Sequence, residues 1–206
     1  MIIQKFSAPA GGGLLAALDC YQNNGEALDT GGVNVTAASI THGTGHDAVE
    51  AATVIIDSNS DNYYFACNES NGLINGSVGS IQVWFKAASD ISSGHIFAQS
   101  TDNGTLRAYR NVLEDSLVFT INSSNATITL GAEDIWDGSW YQLTFTWNQS
   151  ASSRKIYIGS NEYSSGTAWT DADISAGNIW IGNRMGNFAQ SGNFQDFKVY
   201  DSEITP

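Results

Sequence analysis

Tyr141-Gln142-Leu143-Thr144-Phe145-Thr146-Trp147 places a large apolar side chain at every second residue and a polar one between each pair. A period of two marks a strand with one face in a core and the other outside it. The pattern recurs on both sides of this stretch. Ile81, Val83 and Phe85 alternate with Gln82, Trp84 and Lys86. Leu117, Phe119 and Ile121 form another set, as do Ile156 with Ile158, Ile179 with Ile181, and Phe197 with Val199. Polar clusters separate the runs at Ser92-Ser93-Gly94, Asp102-Asn103-Gly104, Asn122-Ser123-Ser124-Asn125, Asp137-Gly138, Ser164-Ser165-Gly166 and Ser191-Gly192-Asn193. Strands recurring every ~8–12 residues with turns between them describe an all-β antiparallel sandwich or barrel. Residues 14–60 are less regular and read as strands near 14–21, 35–41 and 49–56.

The chain has 206 residues, the length of one domain. Its two prolines, Pro9 and Pro206, lie near the ends, so no Pro/Gly linker divides the middle. Residues 1–13 end in Pro9-Ala10-Gly11-Gly12-Gly13 and read as an arm and anchor; residues 14–206 read as a single domain. Eight Lys plus Arg against 21 Asp plus Glu give a formal charge of −13. That sign argues against a phosphate-binding face for nucleic acid and against docking on anionic lipid. No run of 18 apolar residues is present, so membrane insertion is not expected. The apolar patch Leu14–Leu18 follows three glycines and is shorter than the ~7–15 residues of a signal-peptide core. No signal peptide is recognisable. Cys20 and Cys67 are too few for a disulfide scaffold; they read as small buried residues, or as one bridge if their strands lie side by side.

The C-terminal part resembles a known family. Trp136-Asp137-Gly138-Ser139-Trp140 and the strand after it, Arg154-Lys155-Ile156-Tyr157-Ile158-Gly159, Ile179-Trp180-Ile181-Gly182-Asn183, and Gly192-Asn193-Phe194-Gln195-Asp196-Phe197-Lys198-Val199-Tyr200-Asp201 resemble successive strand motifs of laminin-G-like, concanavalin A-like domains. Asp61-Asn62-Tyr63-Tyr64 and Gly79 to Lys86 are similar to the upstream ones. Order and spacing match from about residue 60 to 205. The resemblance implies a two-sheet antiparallel jelly-roll sandwich. It also implies calcium as a cofactor, with Asp57, Asp61 and Asp196 as ligands from loops, since a hard cation takes carboxylate oxygens. The plainer role of these Asp residues is capping turns. Gly159-Ser160 and Gln195 stand where the family has acidic loop residues, which weighs against calcium.

Catalytic patterns are missing. A retaining glycosidase needs two carboxylates about 5–5.5 Å apart, and residues two apart on a strand would supply them. The seven Glu, at 26, 50, 69, 114, 133, 162 and 203, are scattered instead. No Gly-x-Ser-x-Gly elbow occurs. His42 and His46 flank Gly43-Thr44-Gly45 ahead of Asp47, but four-residue spacing aligns metal ligands only on a helix, so this Gly-rich stretch reads as a loop. His95 reads as ordinary packing. Alternation leaves a second set of side chains facing away from the core: Trp84, Lys86, Arg107, Tyr109, Trp180 and Tyr200. Trp, Tyr and Arg outside a core mark a ligand face, a partner surface, or a face covered by another part of the chain.

The expected protein is therefore non-enzymatic and used in adhesion or assembly. The first setting is a virion surface, as a phage capsid-decoration or tail-associated protein whose partners are other structural subunits. The alternative is a free-standing extracellular module that binds cell-surface glycan with or without calcium. A glycan-cleaving hydrolase or lyase stands third.

Overall fold

A computed structural model describes residues 14–18, 35–38, 41–46, 50–54, 64–67, 74, 76–88, 94–100, 106–111, 116–121, 124–129, 135–165, 178–182 and 192–206. Among them are fifteen strands and no helix: β1 (Leu14–Leu18), β2 (Val35–Ala38), β3 (Thr41–Thr44), β4 (Glu50–Val54), β5 (Tyr64–Cys67), β6 (Val78–Ala87), β7 (His95–Ser100), β8 (Leu106–Asn111), β9 (Ser116–Ile121), β10 (Ser124–Thr129), β11 (Trp140–Asn148), β12 (Ser153–Ile158), β13 (Asn161–Ser165), β14 (Asn178–Ile181) and β15 (Gly192–Tyr200). They form two antiparallel sheets. The first runs β13-β12-β11-β6-β15-β4-β3, with β1 also on β15; the second runs β10-β9-β8-β7-β14-β5-β2. The arm 1–13 and Cys20 lie outside the described residues.

Alternation sorts the side chains between core and outside. In the first sheet Ile81, Val83, Phe85, Leu143, Phe145, Trp147, Phe194, Phe197 and Val199 are all buried in the core. The second sheet contributes Phe97, Leu106, Ala108, Leu117, Phe119, Ile121, Ile179 and Ile181. Phe97 joins the two layers: its ring centroid lies 5.1 Å from Phe145 and 6.2 Å from Phe197, both near edge-to-face. Such pairs add to the stabilisation from burial alone. Gly79 sits directly across from Trp147. A Cβ there would lie 2.5 Å from the indole, so the glycine is the space the indole fills.

Two local expectations change. Ser164 and Ser165 belong to β13, and the preceding turn is at Gly159 (φ +57°), whose N–H donates to Gln142 O at 2.8 Å. β10 and β13 were not legible because few large apolar residues mark them. The stretch around His42 and His46 is not a plain loop: His42 lies in β3, and His46 in the turn leaving it.

β15 carries the irregularity that matters most for the outer surface. Its pairing with β6 shifts between Gln195 and Lys198, and Asp196 adopts φ 53°. This β-bulge lets Phe194 and Phe197, three residues apart, both enter the core. Asp tolerates the left-handed region better than most side chains.

Candidate functional site

Register aligns the outward side chains of β11, β6 and β15 into rows. Trp140, Lys86 and Asn193 lie opposite one another; below them come Gln142, Trp84 and Gln195; then Thr144, Gln82 and Lys198; then Thr146, Ser80 and Tyr200. Each row crosses three strands, about 10 Å over two interstrand spacings.

His46 reaches onto this face from the β3–β4 connection. Its ring stacks on Trp84 at 4.0 Å and 14°, and meets Trp140 edge-on at 6.2 Å and 73°. Its backbone N–H donates to Gln195 Oε1 at 2.9 Å. Its Nε2 lies 3.7 Å from Asp196 Oδ2, and Lys198 Nζ lies 3.9 Å from the same oxygen. The bulge thus delivers Asp196 to a point between a histidine and a lysine. The result is a half-buried aromatic cluster of His46, Trp84 and Trp140 rimmed by amides and charges from four elements.

The lower rows are occupied by the protein itself. Ser80 Oγ donates to Ser202 O at 2.6 Å and accepts from Ile204 N–H at 3.0 Å. Glu203 accepts from Asn148 Nδ2 at 3.0 Å and Ser153 Oγ at 3.2 Å. The C-terminal residues therefore lie across this end of the face. Tyr200 is only 7% exposed; burial first, then the charge of Asp196, raises its phenol pKa. At the β12–β13 edge, Glu162 accepts from the Tyr157 hydroxyl at 2.9 Å and Lys155 Nζ at 3.2 Å.

The six residues expected to form one face are divided between two. Trp84, Lys86 and Tyr200 belong to the first sheet, whereas Arg107 and Tyr109 (β8) and Trp180 (β14) belong to the second. Both sets face away from the core, so they occupy opposite sides of the sandwich. On the second sheet the Arg107 guanidinium lies 5.0 Å over Tyr109, and Tyr109 packs on His95 at 5.2 Å. The outward Ala98, Val118 and Thr120 between them are buried, as is His95. Trp140, Gln195 and Lys198 belong to the site and were not singled out. Parity with Gln142 marks Trp140 as outward; the bulge that recruits Gln195 and Asp196 leaves no such mark. His46 arrives by a contact 149 residues distant in sequence.

Of the three Asp residues expected as calcium ligands, Asp196 is described: its carboxylate lies 3.7 Å from the His46 imidazole and 3.9 Å from the Lys198 ammonium. Asp57 and Asp61 lie outside the described residues. Among the described residues no three His, Cys, Asp or Glu side chains cluster as metal ligands would.

Residues 57–206 match the family model of the concanavalin A-like lectin/glucanases superfamily, the span the strand motifs marked out. No curated protein matches the chain. Among solved structures, domain 4 of AbnA, a GH43 extracellular arabinanase from Geobacillus stearothermophilus in complex with arabinotriose, superposes with a TM-score of 0.70 and 18% identity over 95% of both chains. The binding domain of botulinum neurotoxin serotype D gives 0.66 and 15% over 93% of this chain and 49% of that one. A structure of botulinum neurotoxin type C, whose cell entry is described as dependent upon two ganglioside molecules, gives 0.65 and 16% over 94% and 48%. This chain spans about half the length of those neurotoxin chains. These likenesses show the two-sheet sandwich fold, and at such identities the fold alone.

Proposed function

This chain belongs to the concanavalin A-like lectin/glucanases superfamily, and from that premise we propose that it is a carbohydrate-binding adhesion protein acting outside cells. Its ligand face is the outer surface of the first sheet around Trp84 and Trp140. The observation that carries this is the cluster of His46, Trp84 and Trp140 beside Gln195, Asp196 and Lys198. Aromatic rings offer an apolar surface to the C–H faces of a sugar, and nearby amides and charges orient its hydroxyls. Structural neighbours are consistent with this use: the arabinanase domain is in complex with arabinotriose.

The same geometry supports binding without cleavage. The carboxylate of Asp196 beside the aromatic cluster has Lys198 and His46 as its neighbours, whereas a retaining hydrolase pairs two carboxylates about 5–5.5 Å apart.

A broad glycan array with purified protein tests this, run with calcium and with chelator. Saturable binding is expected, surviving chelation because Asp196 is held by nitrogen groups. Trp84→Ala and Trp140→Ala should each weaken it about tenfold or more, the scale of a lost aromatic contact, with the melting temperature held. Silence from folded protein would sink the proposal. It would return the chain to the assembly role, on a virion surface with residues 1–13 as the anchor.

A further inference from the structure

The upper and lower halves of this face differ in how the protein spends its polar groups. In the lower rows they bond to one another: Gln82 Nε2 donates to Thr144 Oγ1 at 3.2 Å, Lys198 faces Asp196, and Ser80 holds the C-terminal residues. Lys155, farther along the same sheet, is bound to Glu162. In the top row, Lys86 has no acidic partner within 4 Å among the described residues. It is half-buried, sits directly between Trp140 and Asn193, and lies one row above Trp84.

In a chain with 21 acidic residues and 8 basic ones, an ammonium with no carboxylate partner among the described residues stands out, since Lys155 and Lys198 each have one. The row instead presents an indole, an ammonium and an amide side by side. We propose that the glycan bound here carries a carboxylate, with Lys86 as its anchor, Trp140 as the platform for the sugar ring and Asn193 as a hydroxyl partner. This rests on the carbohydrate-binding reading and narrows it to acidic sugars. Charge-assisted hydrogen bonds are roughly twice as strong as neutral ones, so one such contact is enough to select the acid form.

The test uses matched sugars at about 150 mM salt, where general repulsion from the acidic chain is screened beyond roughly 8 Å. Sialyllactose and a galacturonic acid trisaccharide are each titrated beside the same sugar with its carboxyl reduced to an alcohol. At least one acid form should bind about tenfold more tightly than its reduced form. Whichever acid does so identifies the carboxylate source. Lys86→Met keeps the aliphatic stem and should bring the pair to parity; Lys86→Arg should keep the preference. Lys155→Met, whose ammonium is already committed to Glu162, should also keep it. Equal binding of acid and reduced forms by the unaltered protein overturns the acidic-sugar proposal and leaves the carbohydrate reading standing. Preference retained in a folded Lys86→Met variant overturns the role of Lys86. Failure of every sugar to bind removes both.

Discussion

Trp147 and Gly79 show how tightly single residues are specified. The indole is fully buried and occupies the volume a Cβ at position 79 would need, with the nearest ring atom 2.5 Å away. Gly79→Ala therefore overpacks the core and is expected to cost about 1–3 kcal/mol, read as a lower midpoint in denaturant at unchanged slope. An unchanged midpoint would mean that the indole has room to move. Arg154 lies opposite Trp147 in β12, on the same parity as Ile156 and Ile158, and is fully buried. Burial lowers its pKa. Alternation predicts its inward position; residue type alone would have put it outside.

Among the elements, the β12–β13 hairpin is the one whose stability should follow pH. Glu162 accepts from Tyr157 and from Lys155, and these bonds, the tyrosine's first, lower its carboxyl pKa. A carboxylate depressed in the folded state stabilises above its unfolded pKa, and that contribution disappears as pH falls through the folded value. The group is exposed, so the effect is local and small. Thermal unfolding midpoints of the parent and Glu162→Gln should differ at about pH 7 and converge toward about pH 3. A gap that stays constant would show that the carboxylate is not the source. Lys155 titrates in the opposite sense: its bond to Glu162, first among several causes, raises its pKa, so its share is lost only in strong alkali. β6, β11 and the end of β15 from Phe197 were legible because large apolar residues mark every second position. β10 and β13 lie toward the sheet edges, where Ser, Asn and Thr carry no such contrast.

At the scale of the whole molecule, a charge of −13 sets a self-repulsion that acts over the entire surface. Added salt shortens the reach of that repulsion from about 30 Å at 0.01 M to about 10 Å at 0.1 M. The melting temperature should therefore rise as sodium chloride increases over this range. A fall would mean that specific pairs such as Lys155–Glu162 outweigh the net field. The aromatic cluster also depends on the whole assembly. His46, Trp84, Trp140 and Asp196 come from the β3–β4 connection, β6, β11 and β15, and only the sheet order brings these together.

Alternation and turn chemistry alone determined the all-β class, the principal core residues and which side of the strongly alternating strands faces out. These are properties of neighbours along the chain, and a period of two is written there directly. Trp84, Lys86 and Tyr200 could be named as outward for that reason, and so could Arg107, Tyr109 and Trp180. Which sheet each strand joined was a tertiary decision, and it put those two groups on opposite sides of the sandwich. So was the choice of partner across the face. A bulge at Asp196 and a histidine arriving from 149 residues away in sequence built the site. Long-range pairing follows from how two sheets pack their inner faces, a constraint that no local run of residues carries.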